Sequence, residues 1–580
     1  MVWIYGGGFL FGVANSTYYG PDYLLEQDVI VVHFSYRVNV FGFLSTGDSS
    51  LPGNYGLKDQ LAALKWVRAN IHLFGGDPDR ITIFGESAGG ASVQYHLVSP
   101  KSRGLFHSAI SESGSTLCAW ALQSDPGHFA YQIGYAAGFL GGSTRALVRY
   151  LKKLSSRQLR RAAVGAAIVN SIKLEQSLAF SPALEPEHDD AFITESSYDL
   201  LKTGDFERVP YVVGFNSEES GGARAAIEIG EPLLNMLPND LLVPPGMNNK
   251  AKIIGDEIRK FYFDSNTKPR IQQYVDFLSD SSFYRPIVES ARFYSLYAPV
   301  YMYRFAYEGY FLGKKAFSMG QESKVNGVMH AEEIWYLFRR GDLKHANDTD
   351  KMMRKRMVKL WTNFAKFSNP TPEPDALLEN VTWPRYQKGD YPYLNIDHEM
   401  TVGKNFREQT MEFWRELFSN EFSDNPHPFP ACKRMFSICP ESRYARAAVL
   451  TPLAGSELRP QSRRDAKSSR TFLGVESLRP LFRPGQHCES ARIDVFFLHA
   501  RRYTKHCGTK ECAGGRHKEP KLIRSGPRET DSPPSVLFCP IWKCGGRLFH
   551  DGSNRESRRC VPSPAALYFS LDRNRSLFNN

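Results

Sequence analysis

The first 420 residues of this chain predict an α/β fold with a mostly parallel central sheet flanked by helices. Three observations support that fold: short apolar runs, helical spacing between the runs, and a charge balance that sets this segment apart. The runs are rich in β-branched residues and lie at residues 2–5, 29–32, 81–84, 212–213 and 300–303. Continuous apolar runs, rather than alternating ones, are typical of parallel strands covered on both faces.

Helical spacing is found between the second and third runs. Apolar residues recur there every three or four positions, at Leu57, Leu61, Leu64, Val67 and Ile71. Strands that alternate with helices imply right-handed crossover connections, and such connections place neighbouring strands parallel. The pattern therefore indicates helices layered on a parallel sheet.

The charge of the chain is divided unevenly. The sequence has 72 Lys and Arg against 61 Asp and Glu, but residues 421–580 hold 28 basic and 15 acidic residues, a net charge of +13. Residues 1–420 therefore hold 44 basic and 46 acidic residues, a net charge of −2. Eight of the nine cysteines also lie after residue 420. We therefore predict a globular domain over 1–420 and a basic, cysteine-containing tail over 421–580.

The tail mixes arginine-rich and Pro/Ser-rich stretches without a sustained period, which is typical of disorder. Two groups within the loose spacing of zinc ligands lie in it: His506, Cys507, Cys512 and His517, and Cys539, Cys544, His550 and Cys560. No strand or helix pattern surrounds either group, so no metal is predicted. No recognition motif accompanies the positive charge either, so no nucleic-acid partner is expected.

The sequence contains no run of 18 apolar residues, so no membrane-spanning helix is predicted. Met1 leads directly into the first apolar run, and no signal-peptide pattern precedes it. Four N-x-[ST] sequons occur, at Asn15, Asn347, Asn380 and Asn574, and they are weak support for a secreted glycoprotein. Secretion is therefore expected only from the sequons and the family resemblance described below, and not from a signal peptide.

The first motif that carries chemistry is the G-x-S-x-G sequence centred on Ser87, which extends from Gly85 to Gly89. It follows the apolar run at 81–84 and leads into a plausible helix over 90–97. Flanking glycines let the backbone turn tightly, so that the serine hydroxyl projects at the end of the strand. This setting predicts a nucleophile elbow. The alternative without catalytic function is a glycine-rich turn with a capping serine.

A second motif, the run of three glycines that ends at Gly8, follows the first strand. Acyl transfer builds negative charge on a carbonyl oxygen, and backbone N–H groups without a Cβ nearby can approach that oxygen closely. The run therefore predicts a loop that contributes to an oxyanion hole, together with the N–H of the residue after the serine, Ala88. A flexible glycine loop is the alternative for this run.

A serine hydroxyl also needs a histidine to take its proton and a carboxylate to orient that histidine. In strand–turn–helix hydrolases the chain order is serine, acid, histidine, and this order favours Glu218 or Glu219 as the acid and His330 as the base. Other histidines stay open as alternatives on the residues alone. These are His107, His188, His345 and His398.

With these motifs, the chain resembles the type-B carboxylesterases, the cholinesterase-like branch of the α/β-hydrolases. Within that family, its sequence is most similar to those of insect esterases. The matching stretches are VWIYGGGF (2–9), SYRVNVFGFL (35–44), PGNYGLKDQ (52–60), TIFGESAGG (82–90), SESGS (111–115), VVGFNSEES (212–220), NGVMHAEEIWYLF (326–338) and VTWPRY (381–386). The resemblance covers about residues 1–420. It implies an α/β-hydrolase fold, a small-molecule ester substrate and no cofactor.

The resemblance also assigns roles residue by residue. It implies that Ser87 is the nucleophile, His330 the general base and Glu219 the triad acid. Gly7, Gly8 and Ala88 would supply the oxyanion N–H groups. Glu86 would be a second carboxylate close to the base, and Ser113 a supporting hydrogen-bond partner of the triad. The resemblance leaves the oligomeric state open.

Two departures from the family pattern produce further expectations. The segment that precedes the glycine-run strand in the family is missing here, so the run at 29–34 is expected to form a bare, apolar sheet edge. The tail after residue 420 has no family counterpart. An inactive or truncated family member that acts as a binding or adhesion protein is therefore the alternative function.

Overall fold

The computed structural model describes residues 1–173, 180–223, 248–263, 270–309, 327–340, 346–421, 492–496 and 567–570. These residues form one twisted sheet with helices on both faces. The strands are β1 (Val2–Ile4), β2 (Val31–Phe34), β3 (Thr82–Glu86), β4 (Ser108–Glu112), β5 (Tyr211–Asn216), β6 (Val300–Phe305), β7 (Tyr393–Ile396), β8 (Met400–Gly403), β9 (Arg492–Phe496) and β10 (Leu567–Ser570). Their order is β10-β9-β2-β1-β3-β4-β5-β6-β7-β8.

The sheet is parallel from β2 to β7, and antiparallel strands lie at its two edges. The described α-helices alternate with the strands in the way the sequence predicts. They are α1 (Asp22–Leu25), α2 (Asn39–Phe43), α3 (Tyr55–Asn70), α4 (Ala88–Val98), α5 (Pro126–Ala136), α6 (Thr144–Leu151), α7 (Ser156–Lys173), α8 (Ser197–Thr203), α9 (Asn248–Tyr262), α10 (Ile271–Ser279), α11 (Arg285–Ser295), α12 (Asp348–Phe367) and α13 (Glu408–Glu421). The predicted α/β architecture is confirmed.

Each of the five predicted runs overlaps a strand, and the helical spacing from Leu57 to Ile71 corresponds to α3. Three strands of the domain were missed. β4 contains mostly small and polar residues, while β7 and β8 form a short antiparallel pair at the edge. Small residues suit β4 because it lies between β3 and β5 in the fully buried centre of the sheet.

The edge at β2 differs from expectation. Instead of a bare edge, β9 pairs with β2 in antiparallel register from Val31 opposite Phe496 to Phe34 opposite Ile493, and β10 pairs with β9. Apart from these two strands, the predicted tail lies outside the described residues, and so do its two groups of possible zinc ligands.

A large hydrophobic core covers both faces of the sheet, and a second cluster joins α9, α10 and α13 around Ile258, Val275 and Trp414. A short π-helical turn, Asp280–Tyr284, links α10 to α11. Cys118, the one cysteine before residue 420, is buried and free. Within the described ranges, the helices are too short or too polar to cross a bilayer.

Candidate active site

Ser87 occupies a sharp turn between β3 and α4. Its backbone has φ 58° and ψ −123°, a conformation that L-residues rarely adopt, and α4 begins at the next residue. The turn fits only because glycines flank it. A Cβ on Gly85 would lie 2.5 Å from the carbonyl oxygen of Ile4, and a Cβ on Gly89 would lie 2.0 Å from the same oxygen. The strand–turn–helix setting predicted for the elbow is therefore present.

The glycine run after β1 passes directly against this elbow. A Cβ on Gly6 would lie 2.9 Å from the Cβ of Ser87, and a Cβ on Gly7 would lie 2.2 Å from the carbonyl oxygen of Phe11. Gly7 and Gly8 both have positive φ, at 107° and 61°. Larger residues would push the loop away from the serine, so glycine is required for this close approach.

The three predicted oxyanion donors are the N–H groups of Gly7, Gly8 and Ala88. Ala88 is the first residue of α4, where an N–H has no partner within the helix. In the described part of the chain, none of the three N–H groups donates a hydrogen bond to another protein group. They are therefore available to a negatively charged oxygen, and the partial positive charge of the helix terminus acts in the same direction.

His330 and Glu219 form a direct pair. The Nδ1 of His330 lies 2.6 Å from Oε2 of Glu219. The other carboxylate oxygen, Oε1, accepts hydrogen bonds from the backbone N–H of Asn216 at 2.7 Å and from the hydroxyl of Ser113 at 2.6 Å. A carboxylate held by three donors is fixed in position and holds the imidazole in one orientation.

Two loops far apart in sequence bring this pair together. The N–H of Glu218 donates to the carbonyl of Val328 at 2.8 Å, and the N–H of His330 donates to the carbonyl of Glu219 at 3.2 Å. The side chain of Asn216 adds a third link, to the carbonyl of Met329 at 2.8 Å. The loop after β5 and the loop that carries the histidine are thus fastened along their backbones.

The other imidazole nitrogen faces a second carboxylate. The Nε2 of His330 lies 3.1 Å from Oε1 of Glu86, an ion-pair distance without the alignment of a hydrogen bond. The hydroxyl of Ser87, the next residue, makes no hydrogen bond within the described ranges. Hydrogen bonds between a nucleophile and its base often tighten only when substrate is bound. The Nε2 of His330 therefore faces Glu86, the residue that directly precedes Ser87.

Burial and charge act in opposite directions on His330. Burial disfavours the imidazolium, but the carboxylates of Glu86 and Glu219 outweigh it and raise the pKa of His330 above its ordinary value. Burial also raises the pKa of Glu86, although the nearby His330 works against that rise. The proton thus belongs to a group of side chains rather than to an isolated imidazole.

Two further buried carboxyls stand behind the pair, and sequence reasoning missed both. Glu333 accepts a short hydrogen bond from the side chain of Asn216, and Glu112 accepts one from the indole of Trp361 at 3.0 Å. Burial raises the pKa of Glu333 and of Glu112. The sequence did contain one hint of Glu333, because this carboxylate follows His330 by only three residues. Its raised pKa, however, depends on burial, which the sequence does not display.

Phe283 was also missed. Its ring lies 4.7 Å from the imidazole of His330, measured between centroids, and it projects from the π-helical turn. The turn is held by the indole N–H of Trp120, which donates to the carbonyl of Ser282 at 3.0 Å. Helical π-turns are frequent at functional sites, and this one places an aromatic ring against the imidazole of His330.

Three of the four rival histidines make contacts away from Ser87 and Glu219. His107 accepts a hydrogen bond from the N–H of Ile81, and His188 contacts the buried Glu185 at 3.0 Å. His398 packs against Tyr307. His345 lies outside the described residues. Over the described ranges, there is also no group of three side chains suited to hold a metal ion.

The fold and this arrangement together define an α/β-hydrolase of the esterase type. The sequence profile of the carboxylesterase family matches residues 1–414, and the chain belongs to that family. It is a carboxylic ester hydrolase by class. The particular roles of Ser87, Glu219 and His330 stay predictions.

Similar proteins point the same way. The chain is 35% identical over 429 residues to a juvenile hormone esterase of Tribolium castaneum. That alignment covers 69% of this chain and 72% of the relative. It is 31% identical over 445 residues to a human cocaine esterase, covering 74% of this chain and 73% of the relative. Among solved structures, the juvenile hormone esterase of Manduca sexta aligns with a TM-score of 0.63 and 29% identity, over 72% of this chain and 80% of that one.

Proposed function

We propose that the chain hydrolyses carboxylic esters through a covalent acyl-enzyme on Ser87. His330 takes the proton of the Ser87 hydroxyl as its oxygen attacks the ester carbonyl, and Glu219 stabilises the imidazolium that forms. The negative charge on the carbonyl oxygen is received by the N–H groups of Gly7, Gly8 and Ala88. When the tetrahedral intermediate collapses, His330 returns the proton to the departing alcohol.

Water completes the cycle. His330 removes a proton from a water molecule as the water oxygen attacks the acyl carbonyl. The bond from the acyl carbon to Ser87 Oγ then breaks, His330 returns the proton to that oxygen, and the carboxylic acid is released with the free serine restored. The observation that carries the proposal is the 2.6 Å contact between His330 and Glu219 next to a strained serine turn. The imidazole must rotate from Glu86 toward Ser87 for the first proton transfer.

Organophosphate labelling of the full-length chain tests the proposal. One phosphoryl group on Ser87, located by peptide mass spectrometry, is the expected result. Ser87→Ala should lose the label and lower kcat/KM for a simple ester by about 10⁵-fold or more. Ser49→Ala is the control, because Ser49 is exposed and lies in a loop outside the elbow and the glycine run.

Folded protein that takes up no label would contradict the proposal. It would leave the chain a family member that binds ligands or partners without turning them over. Circular dichroism of the same samples separates that result from misfolding.

A further inference from the structure

A second surface, far in sequence from the catalytic residues, carries dense positive charge. Residues 126–174 contain no Asp or Glu but eight Lys and Arg, although residues 1–420 as a whole have a net charge of −2. Seven of the eight form what we call the basic surface, and all seven are exposed. They are Arg145, Arg149, Lys152, Lys153, Arg157, Arg160 and Arg161.

The helices that carry the basic surface are amphipathic. In α6, Leu147, Val148 and Leu151 are buried, while Arg145 and Arg149 lie one turn apart on the exposed side. In α7, Arg157, Arg160, Arg161 and Val164 repeat at helical spacing and are exposed, whereas Ala162, Ala163 and Ala166 are buried. Both helices pack on α5, so their charged stripes face away from the protein.

Six of the seven charges of this surface, all but that of Lys152, are not neutralised locally. In the described part of the chain, the basic residues other than Lys152 contact no carboxylate. Arginines elsewhere behave differently: Arg68 pairs with Asp79 at 2.7 Å and Arg37 with Asp59 at the same distance. A run of like charges without partners raises the local potential and attracts an anionic surface.

An apolar tip lies beside these charges. Leu140 is 100% exposed, in the loop between α5 and α6. Both ends of that loop are held: the hydroxyl of Tyr131 donates to the carbonyl of Gly142 at 2.8 Å, and the hydroxyl of Tyr150 donates to the carbonyl of Ala137 at 2.7 Å. The tip is therefore displayed by a fixed loop next to the end of α6.

Two more aromatic residues frame the tip. Phe139 turns inward and packs its ring 5.5 Å from that of Tyr150, while Tyr135, at the end of α5, remains 58% exposed. An exposed Leu and Tyr beside a basic helix pair is the composition of a segment that rests at a membrane interface. The apolar groups enter the headgroup layer, and the basic groups stay at its charged surface.

We propose that the basic surface and the Leu140 loop dock the protein on an anionic lipid surface. Charge complementarity favours an anionic partner, and the exposed Leu140 favours lipid over a soluble polyanion, which offers no apolar layer. The proposal does not depend on ester hydrolysis, because the residues of the basic surface lie on α6 and α7 and in the segment that joins them, and none of them belongs to the proposed catalytic group. It brings the hydrolase close to membrane-dissolved esters.

Cosedimentation of the full-length chain with lipid vesicles tests the proposal. Vesicles with 30 mol% (about a third) phosphatidylserine should bind the protein, and vesicles of phosphatidylcholine alone should not. Each basic residue near such a surface contributes about fivefold to partitioning, so the triple change Arg149→Gln, Arg157→Gln and Arg160→Gln should weaken binding about 100-fold. The control triple change Lys355→Gln, Arg385→Gln and Lys388→Gln removes the same charge from other exposed sites.

The basic tail is a rival anchor, and hydrogen exchange separates the two. Bound to phosphatidylserine vesicles, residues 137–161 should gain protection from amide exchange. Protection confined to residues 421–580, or equal losses in the two triple variants, would overturn the proposal.

Leu140→Ser separates lipid from a soluble polyanion. It should weaken vesicle binding but leave retention on a heparin column unchanged. If the protein binds heparin tightly and Leu140→Ser leaves its affinity for vesicles unchanged, the surface recognises polyanions in general. The lipid proposal then fails. Urea unfolding of each variant guards against misfolding, since all the altered side chains are exposed.

Discussion

At the scale of single residues, the central question is which of two adjacent glutamates orients His330, the proposed base. Glu219 is buried and receives three hydrogen bonds, whereas Glu218 points outward and accepts one from Gln272 at 3.1 Å. Glu219→Gln should therefore lower kcat/KM for an ester by about 10⁴-fold, because an amide cannot hold the imidazole in the required tautomer.

Glu218→Gln is the matched change and should leave kcat/KM within about threefold, because that side chain does not touch His330. Steady-state kinetics of the two variants decide between the neighbours. If both lose activity equally, the acid has been misassigned.

His330 also has a carboxylate on each side, and this sets a pH dependence. Removing the charge of Glu86 removes part of what stabilises the imidazolium, so Glu86→Gln should lower the pKa of His330. The base form then exists at lower pH, and the acid limb of the kcat/KM profile should move downward by about one pH unit.

A kcat/KM profile between pH 4 and 9 (a span of roughly five units) measures this shift. Glu379→Gln, a change at the salt bridge to Arg356, is the control and should leave the limb in place, because neither residue contacts His330 in the described part of the chain. An acid limb that stays fixed in Glu86→Gln would mean that the contact with Nε2 is not kept in solution.

At the scale of elements, the elbow depends on how closely α4 approaches β1. Gly89→Ala would bring a methyl group 2.0 Å from the carbonyl oxygen of Ile4, where backbone must move. We expect this change to destabilise the fold by several kcal/mol, on the order of 3–5. The urea midpoint of unfolding measures it.

Gly165→Ala is the matched control in another helix. It meets no atom within 4 Å, and its backbone is ordinary helix. Alanine should therefore stabilise α7 by up to about 1 kcal/mol through helix propensity. Similar midpoints for the two variants would show that α4 does not lie as close to Ile4 as described.

Several elements could be predicted from sequence because their signal is local. The β-branched runs gave β1, β2, β3, β5 and β6, and the glycine motif located the start of α4 within two residues. β4 was missed because its residues are small and polar, and they form a strand only through neighbours on both sides. The π-helical turn carries no recognisable spacing at all.

At the scale of the whole molecule, buried carboxyls link stability to pH. Glu112 lies at the end of β4 beside Glu86 of β3, and its Oε2 has no hydrogen-bond partner in the described ranges. Burial, and then the charge of Glu333, raise its pKa. The folded chain therefore keeps a proton that the unfolded chain releases above about pH 4.3.

The sign follows from linkage. Since the folded state binds more protons, its stability is greatest below the ordinary glutamate pKa and falls as pH rises toward the folded pKa. Glu112→Gln imitates the neutral carboxyl and can still accept from Trp361. It should stabilise the fold increasingly from pH 5 to 9 (about four units) and make the decline shallower.

Urea unfolding across that pH range checks the expectation. The control is Glu399→Gln, a change at an exposed residue. Its free energy of unfolding plotted against pH should run parallel to that of the unaltered chain. Parallel curves for Glu112→Gln as well would indicate that Glu112 is ionised in the folded protein. Glu86 and Glu333 also have raised pKa values, so part of the decline should remain.

The serine turn and the glycine loop of this protein could be predicted from its sequence alone. A glycine-flanked serine after an apolar run and a glycine loop after another are specified by neighbours in the chain, since only glycine permits those turns. The choice of Glu219 and His330 among many acids and histidines needed the family resemblance. Only the tertiary structure placed Glu86 against Nε2, Phe283 on the imidazole ring, and Glu112 and Glu333 in the buried layer behind them. Those contacts join residues up to hundreds of positions apart, and burial, which sets their protonation, exists only once the sheet and its helices are assembled.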